Sequence, residues 1–315
     1  MDMGMDKKRL QVAVGVIKNT SGQVLIALRD ESLHQGGLWE FPGGKLEPGE
    51  TAEQALVREL QEELDISVQT ASPLLTIQHE YPDRAVQLLV YEVSRFSGVA
   101  KGNEGQPLQW VDTADLNKFA FPAANRPIIA AAQLPAFYAI LEADHEGLLV
   151  RHLEKILANG VRLIQVRLKN LPQTSILVFL EYAQPLCQRH GACLLANSSL
   201  GLSSHPAFQG IHLISRDLMA LTQRPQHAHW VAASCHNAQE LRHAEQIGVD
   251  FAVLAPVLPT LTHPNADSLG WAQFAEWVAG ANFPVYALGG MTRASLGTAR
   301  AAGAQGIASI RAFLD

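Results

Sequence analysis

The chain has 315 residues, 48% of them hydrophobic and 17% charged, which provides a large core, excludes wholesale disorder and favours two domains over one. The net charge of −6 lies wholly in residues 1–132, where 12 Lys and Arg face 18 Asp and Glu, while the remainder balances 12 against 12. That argues against a basic surface for long nucleic acid and suits a site that collects divalent cations.

In chain order, Leu10–Ile17 and Gln23–Ala27 read as strands separated by the turn residues Asn19, Ser21 and Gly22. Thr51–Leu64 reads as a helix, followed by strands at Leu75–His79, Ala85–Val93 and Leu108–Val111. Pro122 to Pro127 is a turn that leads into a short apolar helix, and Pro135 ends it. The boundary therefore falls near Gln133–Pro135, giving domains 1–132 and 134–315. Beyond it, eight short apolar runs begin at Phe137, Leu163, Cys193, Gly210, Trp230, Phe251, Val285 and Gly306. Helix-like stretches separate most of them: His145–Asn159, Pro172–His190, Asn237–Ile247, Gly270–Ala279 and Thr292–Ala302. This β-α alternation predicts an α/β (β/α)8 barrel, with an open doubly wound sheet as the alternative.

No apolar run approaches the roughly 20 residues that span a bilayer, so no membrane segment is expected. The opening MDMGMDKKRLQ has no apolar core of a secretory signal. The three cysteines, Cys187, Cys193 and Cys235, form no CxxC pair, which points to a reducing cytoplasm.

The stretch GKLEPGETAEQALVRELQEELDI, residues 44–66, carries the most chemistry. Thr51 and Gln54 form a capping box, and Leu56, Leu60 and Leu64 recur every four residues as a buried stripe. Glu59, Glu62 and Glu63 stand at i, i+3 and i+4, so three carboxylates share one neighbouring face. Such anions repel, and a positive partner belongs among them: Arg58, or a cation such as Mg²⁺, which takes oxygen ligands. A solvated acidic helix is the bland alternative for a bare ExxEE.

The longer pattern resembles the Nudix box: Gly44, Glu50, Arg58, Glu59, Leu60, Glu62, Glu63 and the closing apolar Ile66. Asp65 stands where that family has Gly, just past the helix; Asp tolerates a left-handed conformation better than most residues. Residues 9–132 look like the MutT subgroup of Nudix hydrolases through LQVAVGVI, LWEFPGGK, EYPDR, EGQP and FPAANRPII. The resemblance implies an α+β Nudix fold, a mixed sheet between helices, and hydrolysis of oxidised guanine nucleotides with Mg²⁺, or Mn²⁺ in its place. It implies that Gly43, Glu59, Glu62, Glu63 and Glu104 surround the metal, with Glu59 or Glu104 as general base and Arg58 in the catalytic set. Arg29, His34, Glu40, Phe41, Pro42, Arg84 and Asn125 fall at nucleotide-contacting positions, Asn125 reading the modified purine.

Residues 136–311 resemble the thiamine-phosphate synthase and thiazole tautomerase family through FYAIL, IQVRLKN, LLANSS, GIHLISRD, AASCHNAQEL, FAVLAPVLPTLTH, LGGM and GIASI. The resemblance places a phosphate against Gly289, Gly290 and Ser309, with Thr260 and Thr262 beside it. Gln165, Arg167 and Lys169 match the diphosphate-handling stretch, and Asn197 and Asp217 the metal region. Two positions depart: Ser198 replaces an Asp that holds Mg²⁺, and His263 replaces a phosphate-binding Lys. The expectation is a poor synthase that binds a phosphorylated small molecule or a thiamine precursor, or acts as a tautomerase.

The pairs His236/His243 and His227/His229 lack a third ligand at zinc spacing and read as structural or solvated. Cys235 and His236 are neighbours at a strand end and point to opposite faces, so Cys235 reads as an inert buried thiol. The whole chain reads as a pyrophosphohydrolase of 8-oxo-dGTP with a barrel behind it. The alternatives are hydrolysis of thiamine-type diphosphates, and a barrel that senses ligand or organises assembly without catalysis.

Overall fold

Two compact units, residues 1–133 and 134–315, make up the computed structural model, which describes residues 9–32, 35–226, 228–260 and 267–315. The first unit opens with β1 (Leu10–Ile17), β2 (Val24–Leu28) and two very short strands, β3 (Trp39–Glu40) and β4 (Gly43–Lys45). Helix α1 (Ala52–Leu64) follows, then β5 (Ser67–Glu80), β6 (Ala85–Ser97), β7 (Leu108–Val111) and α2 (Arg126–Gln133). One sheet has the order β4-β1-β6-β5, with β1 and β6 parallel over eight residue pairs; the other has the order β3-β2-β7.

Helix α1 begins as its sequence dictates. The Gln54 N–H donates to Thr51 Oγ1 at 3.2 Å, and the Thr51 N–H donates to Gln54 Oε1 at 2.8 Å. Leu56, Leu60 and Leu64 are fully buried with Ile17, Leu25 and Ile66. Gly15 of β1 leaves room for that stripe, since a Cβ there would lie 3.3 Å from both Leu56 and Leu60. The helix ends at Asp65 with φ 57° and ψ 35°, the left-handed cap predicted for the position where the family has Gly. The second core of this unit, with Val16, Ile26, Val90 and Ile128, lies among β1, β2, β6 and α2.

The second unit is a closed barrel of eight parallel strands. Closure excludes the open doubly wound sheet. The chain runs through β8 (Phe137–Leu141), α3 (Glu146–Ala158), β9 (Leu163–Val166), α4 (Gln173–Arg189), β10 (Cys193–Asn197) and β11 (Gly210–Leu213). It continues with α5 (Ser215–Ala220), β12 (Trp230–Cys235), α6 (Ala238–Ile247), β13 (Phe251–Leu254), α7 (Gly270–Val278), β14 (Val285–Ala287), α8 (Leu296–Ala301) and β15 (Gly306–Ser309). Tyr138, Phe251 and Tyr286 pack inside the barrel with centroids 5.4–5.7 Å apart, so the interior is a plug of side chains and not a pore. A larger apolar shell, which includes Leu153, Ile156, Leu180 and Phe274, seats the helices on the outside of the strands.

Among the described residues, no helix is long and apolar enough to cross a membrane. Cys187, Cys193 and Cys235 are free, and burial raises all three thiols, Cys187 and Cys193 to about 12.

Candidate active site and a second cavity

The first unit holds a cavity of about 640 Å³. Its lining includes Gly43, Glu59, Glu63 and Glu104 together with Arg29, Glu40, Phe41, Arg84 and Asn125. The acidic residues arrive by different routes. Glu59 and Glu63 are one helical repeat apart on α1, on the row that faces β4. Glu104 sits in the loop before β7, tied to α1 through the Asn103 N–H, which donates to the Glu63 carbonyl at 3.0 Å. Gly44 lets Glu59 come close: a Cβ there would lie 2.0 Å from the Glu59 carboxyl carbon. Gly43, at φ 146°, has its missing Cβ directed 2.1 Å from the Ala13 carbonyl oxygen.

Glu63 carries the strongest electrostatic signature. Burial pushes its carboxyl up to about 8, the charges of Glu59, Glu40 and Glu104 add to that, and a hydrogen bond from the Gly43 backbone opposes it. Arg58 neutralises an overlapping set. Its Nε and Nη2 grip Glu50 at 2.9 Å each, and its Nη1 reaches Glu59 at 3.0 Å and Glu62 at 3.2 Å. Glu62 does not line the cavity; its side chain is 60% exposed beside Arg58. The helical phase accounts for this, since the i+3 residue lies on the other side of Glu59 from the i+4 residue.

At the rest of the cavity, Arg29 is ion-paired with Glu40, whose carboxyl burial raises despite the Arg29 charge. Phe41 stacks on Phe121 with centroids 5.4 Å apart. Asn125 is buried, closing the short 3-10 turn Ala123–Asn125. Tyr81, not singled out in the sequence, also lines the cavity and hydrogen-bonds the Ala124 backbone. Its place in EYPDR was a signal that could have found it. Pro42 does not line the cavity; its carbonyl accepts the Gly15 N–H at 2.8 Å. His34 lies outside the described residues.

The barrel holds a second cavity, of about 420 Å³, at the C-terminal ends of its strands. Of the residues expected there, Gln165, Arg167, Asn197, Thr260 and Gly289 line it; Lys169, Asp217, Gly290 and Ser309 do not. Ser309 is buried, and its hydroxyl accepts the backbone N–H groups of Arg311 and Ala312. Gly290 is needed for packing, since a Cβ there would lie 2.8 Å from Leu258 Cβ. Asp217 accepts from the Ser198 hydroxyl at 2.6 Å and from Arg216 Nε at 3.0 Å, which hold its carboxyl below the usual range. Thr262 and His263 lie outside the described residues.

Sequence reasoning missed His212 and Ser234. His212 is buried; its Nδ1 meets the Tyr138 hydroxyl at 2.9 Å and its Nε2 meets Ser234 Oγ at 2.7 Å. Burial, with Arg167 nearby, lowers its basicity to about 3, so the ring is neutral. Gln165 is buried beside the Tyr138 hydroxyl, and its Nε2 has no hydrogen-bond partner. His236, expected to be structural or solvated, lines the cavity with Nδ1 at 3.1 Å from Glu240 Oε2. His243 is structural, its Nε2 set between the Leu218 and Leu221 carbonyls.

The profile described as NUDIX domain matches residues 13–131, and that described as thiamine monophosphate synthase matches residues 137–313. The chain is 46% identical to the 8-oxo-dGTP diphosphatase of Escherichia coli (strain K12) over 123 residues, 39% of this chain and 95% of that protein. It is 36% identical to the CTP pyrophosphohydrolase of the same strain over 124 residues, 39% of this chain and 91% of that protein. It is 32% identical to a putative thiamine-phosphate synthase 2 of Aquifex aeolicus (strain VF5) over 185 residues, 58% of this chain and all of that protein.

Proposed function

The chain belongs to the Nudix hydrolases through its first unit and to the thiamine monophosphate synthase family through its second, and on that footing we propose that the first unit converts 8-oxo-dGTP and water to 8-oxo-dGMP and diphosphate. Such a reaction clears oxidised guanine from the nucleotide pool and limits mutation. The observation that carries this reading is one cavity lined both by Glu59, Glu63 and Glu104 and by Asn125, Tyr81 and Phe41.

The carboxylate chemistry suits a hard divalent cation, Mg²⁺ or Mn²⁺, although among the described residues no three of these groups already stand close enough to hold one. Burial pushes Glu63 up and the charges of Glu59, Glu40 and Glu104 add to it, so a cation there would relieve both effects. The groups that would hold the metal are Glu59, Glu63, Glu104 and the Gly43 carbonyl; Glu62, which the resemblance also implies, lies off the cavity beside Arg58. When bound, the cation supplies charge neutralisation at the phosphate oxygens and lowers the pKa of a bound water.

The chain's own residues do the rest. Arg58 fixes the Glu59 carboxylate through Nη1 while Glu50 fixes Arg58. Water attacks the β-phosphorus, the bond to the α-phosphate oxygen breaks, and Glu59 or Glu104 accepts the water's proton. Arg29 and Arg84 attract the polyphosphate. Asn125 offers a donor and an acceptor to the edge of the oxidised purine, and Phe41 and Tyr81 provide apolar surface for the ring.

For the barrel, the reading is a site for a phosphate-bearing small molecule, such as a thiamine precursor, that is a poor synthase. Its support is that Asp217 is already engaged by Ser198 and Arg216 and lies off the cavity. The deciding experiment is a substrate panel of 8-oxo-dGTP, dGTP, CTP and thiamine-type diphosphates with Mg²⁺. It reads released pyrophosphate against released phosphate, and it assays the chain for thiamine phosphate formation. Preference for 8-oxo-dGTP with pyrophosphate release is expected. Equal turnover of dGTP would end the specificity claim, and robust synthase activity would end the reading of the barrel.

A further inference from the structure

Among the described residues lining the barrel cavity, Arg167 is the only Lys or Arg. Its guanidinium is nevertheless occupied: Nη1 is ion-paired with the carboxylate of Glu142, which is not itself a lining residue. The pairing is built by the barrel ladder. Leu141 of β8 pairs with Val166 of β9, and the Arg167 N–H donates to the Leu141 carbonyl at 3.0 Å, so residues 142 and 167 emerge side by side. On the other side, the Glu142 carbonyl accepts from His152 Nδ1 of α3 at 3.0 Å. The two side chains are 22% and 28% exposed, so water screens the pair less than it would on an open surface.

Two side-chain amides also face the cavity. Gln165 Nε2 is buried and unpartnered. Asn197 uses its Oδ1 on the Ser199 hydroxyl and backbone, which leaves its amide N–H groups to donate. Such a cavity offers hydrogen bonds freely, but it yields its charge only to a ligand that outcompetes a carboxylate already in place.

We propose that Glu142 is a specificity-determining residue of the barrel cavity, an internal anion that a ligand's phosphate must displace from Arg167. This rests on the reading of the cavity as a phosphate site. A carboxylate ligand would exchange one monoanion for another with no net gain. A phosphate or diphosphate group brings at least two charges and the geometry for a bidentate contact with a guanidinium. The cavity therefore selects multiply charged phosphates over carboxylates of similar size.

The test is isothermal titration of the full-length chain with inorganic pyrophosphate, in EDTA so that metal at the first unit contributes nothing, with thermal unfolding to verify each variant. Glu142→Gln should bind roughly three- to tenfold more tightly than the wild type. Arg167→Gln should lose at least about tenfold. Asp144→Asn, which removes an equal charge two residues away, should stay within about twofold. If Glu142→Gln does not fold, Glu142→Asp takes its place, since its carboxylate is withdrawn by one methylene and must also tighten binding. Unchanged or weaker binding by the Glu142 variants, with Arg167 still required, would overturn the displacement role and leave the phosphate site standing. Equal tightening by Asp144→Asn would overturn it too, as a general charge effect. Binding indifferent to Arg167 in every variant would instead remove the phosphate reading itself.

Discussion

The first unit gathers Glu40, Glu59, Glu63 and Glu104 at one cavity; Arg29 pairs with Glu40 and Arg58 with Glu59, while burial and the neighbouring carboxylates push Glu63 up to about 8. In the barrel the charge is more sparse: Arg167 is paired with Glu142, and Asp217 is engaged by Ser198 and Arg216. Each unit thus places polar groups at a cavity of its own, and the lining of the first carries an excess of acidic residues over Lys and Arg. Carboxylates gathered at a partly buried site favour a positive partner, which is consistent with the cation proposed for the first unit. A cavity whose charges are matched from within is stable as it stands, and it can discriminate ligands by what they must displace.

Breaking the surplus in the first unit should have the largest effect. Glu63→Gln keeps the side-chain volume and removes one metal-holding charge. With Mg²⁺, its turnover of 8-oxo-dGTP should fall by on the order of 10²–10³. Pyrophosphate release measures it, and wild-type turnover would show that the surplus does not serve catalysis. Asn125→Ala addresses recognition at the same cavity. It should lower kcat/KM for 8-oxo-dGTP by roughly 10–100-fold and change dGTP by only a few-fold, because a pocket that loses a base-edge contact loses discrimination first. A parallel loss on both nucleotides would make Asn125 a structural turn residue.

The contrast also sets opposite pH slopes. Glu63 has a folded value of about 8 against an ordinary 4.5, so between those values the folded chain holds a proton that the unfolded chain has released. Metal-free stability of the first unit should therefore fall as pH rises through that window, by on the order of 2–4 kcal/mol. His212 has a folded value of about 3 against an ordinary 6.5, so its contribution is present above 6.5 and is lost as pH falls toward 3. Thermal unfolding from pH 5 to 8 in EDTA should show the first unit weakening on the alkaline side and the barrel on the acid side. Mg²⁺ should flatten only the first slope, with its largest stabilisation near pH 8. The same sign of slope for both units would break the comparison.

Where local chemistry decides, the sequence was legible. The α1 cap, its leucine stripe and the left-handed Asp65 all follow from residues within one helix and its ends. The barrel strands were legible as apolar runs because every one is buried on both faces or nearly so. What depended on distant neighbours was not. Strand β5 extends back to Ser67 through Pro73, which reads as a breaker; it is tolerated because β5 lies at a sheet edge and its register shifts between Pro73 and Leu75. The short strands β3 and β4 exist only because β2 and β1 pair with them. Glu62 shares a motif with Glu59 and Glu63, yet the pull of Arg58 and the helical phase set it apart. His212 reads as one polar residue in an apolar run, and only barrel closure brings Tyr138 and Ser234 to its two nitrogens.

The smallest effect comes from giving the barrel the disposition of the first unit. Ser198→Asp deletes the hydroxyl that donates to Asp217 and that accepts the Ile214 N–H at 3.1 Å, and it sets a second carboxylate beside the first. Asp217 then faces a like charge with only Arg216 to offset it. Because the side chain of Asp217 is 29% exposed, the cost should be small, about 1 kcal/mol from the lost hydrogen bond and the new repulsion. The informative quantity is the response to metal, measured in a Glu63→Gln background so that the first unit contributes little. Millimolar Mg²⁺ should raise the barrel's unfolding temperature in the Ser198→Asp protein and leave it unchanged when Ser198 is present. If Mg²⁺ stabilised both alike, Asp217 would already be a metal ligand despite its hydrogen bonds, and the matched charges of the barrel would need a different explanation.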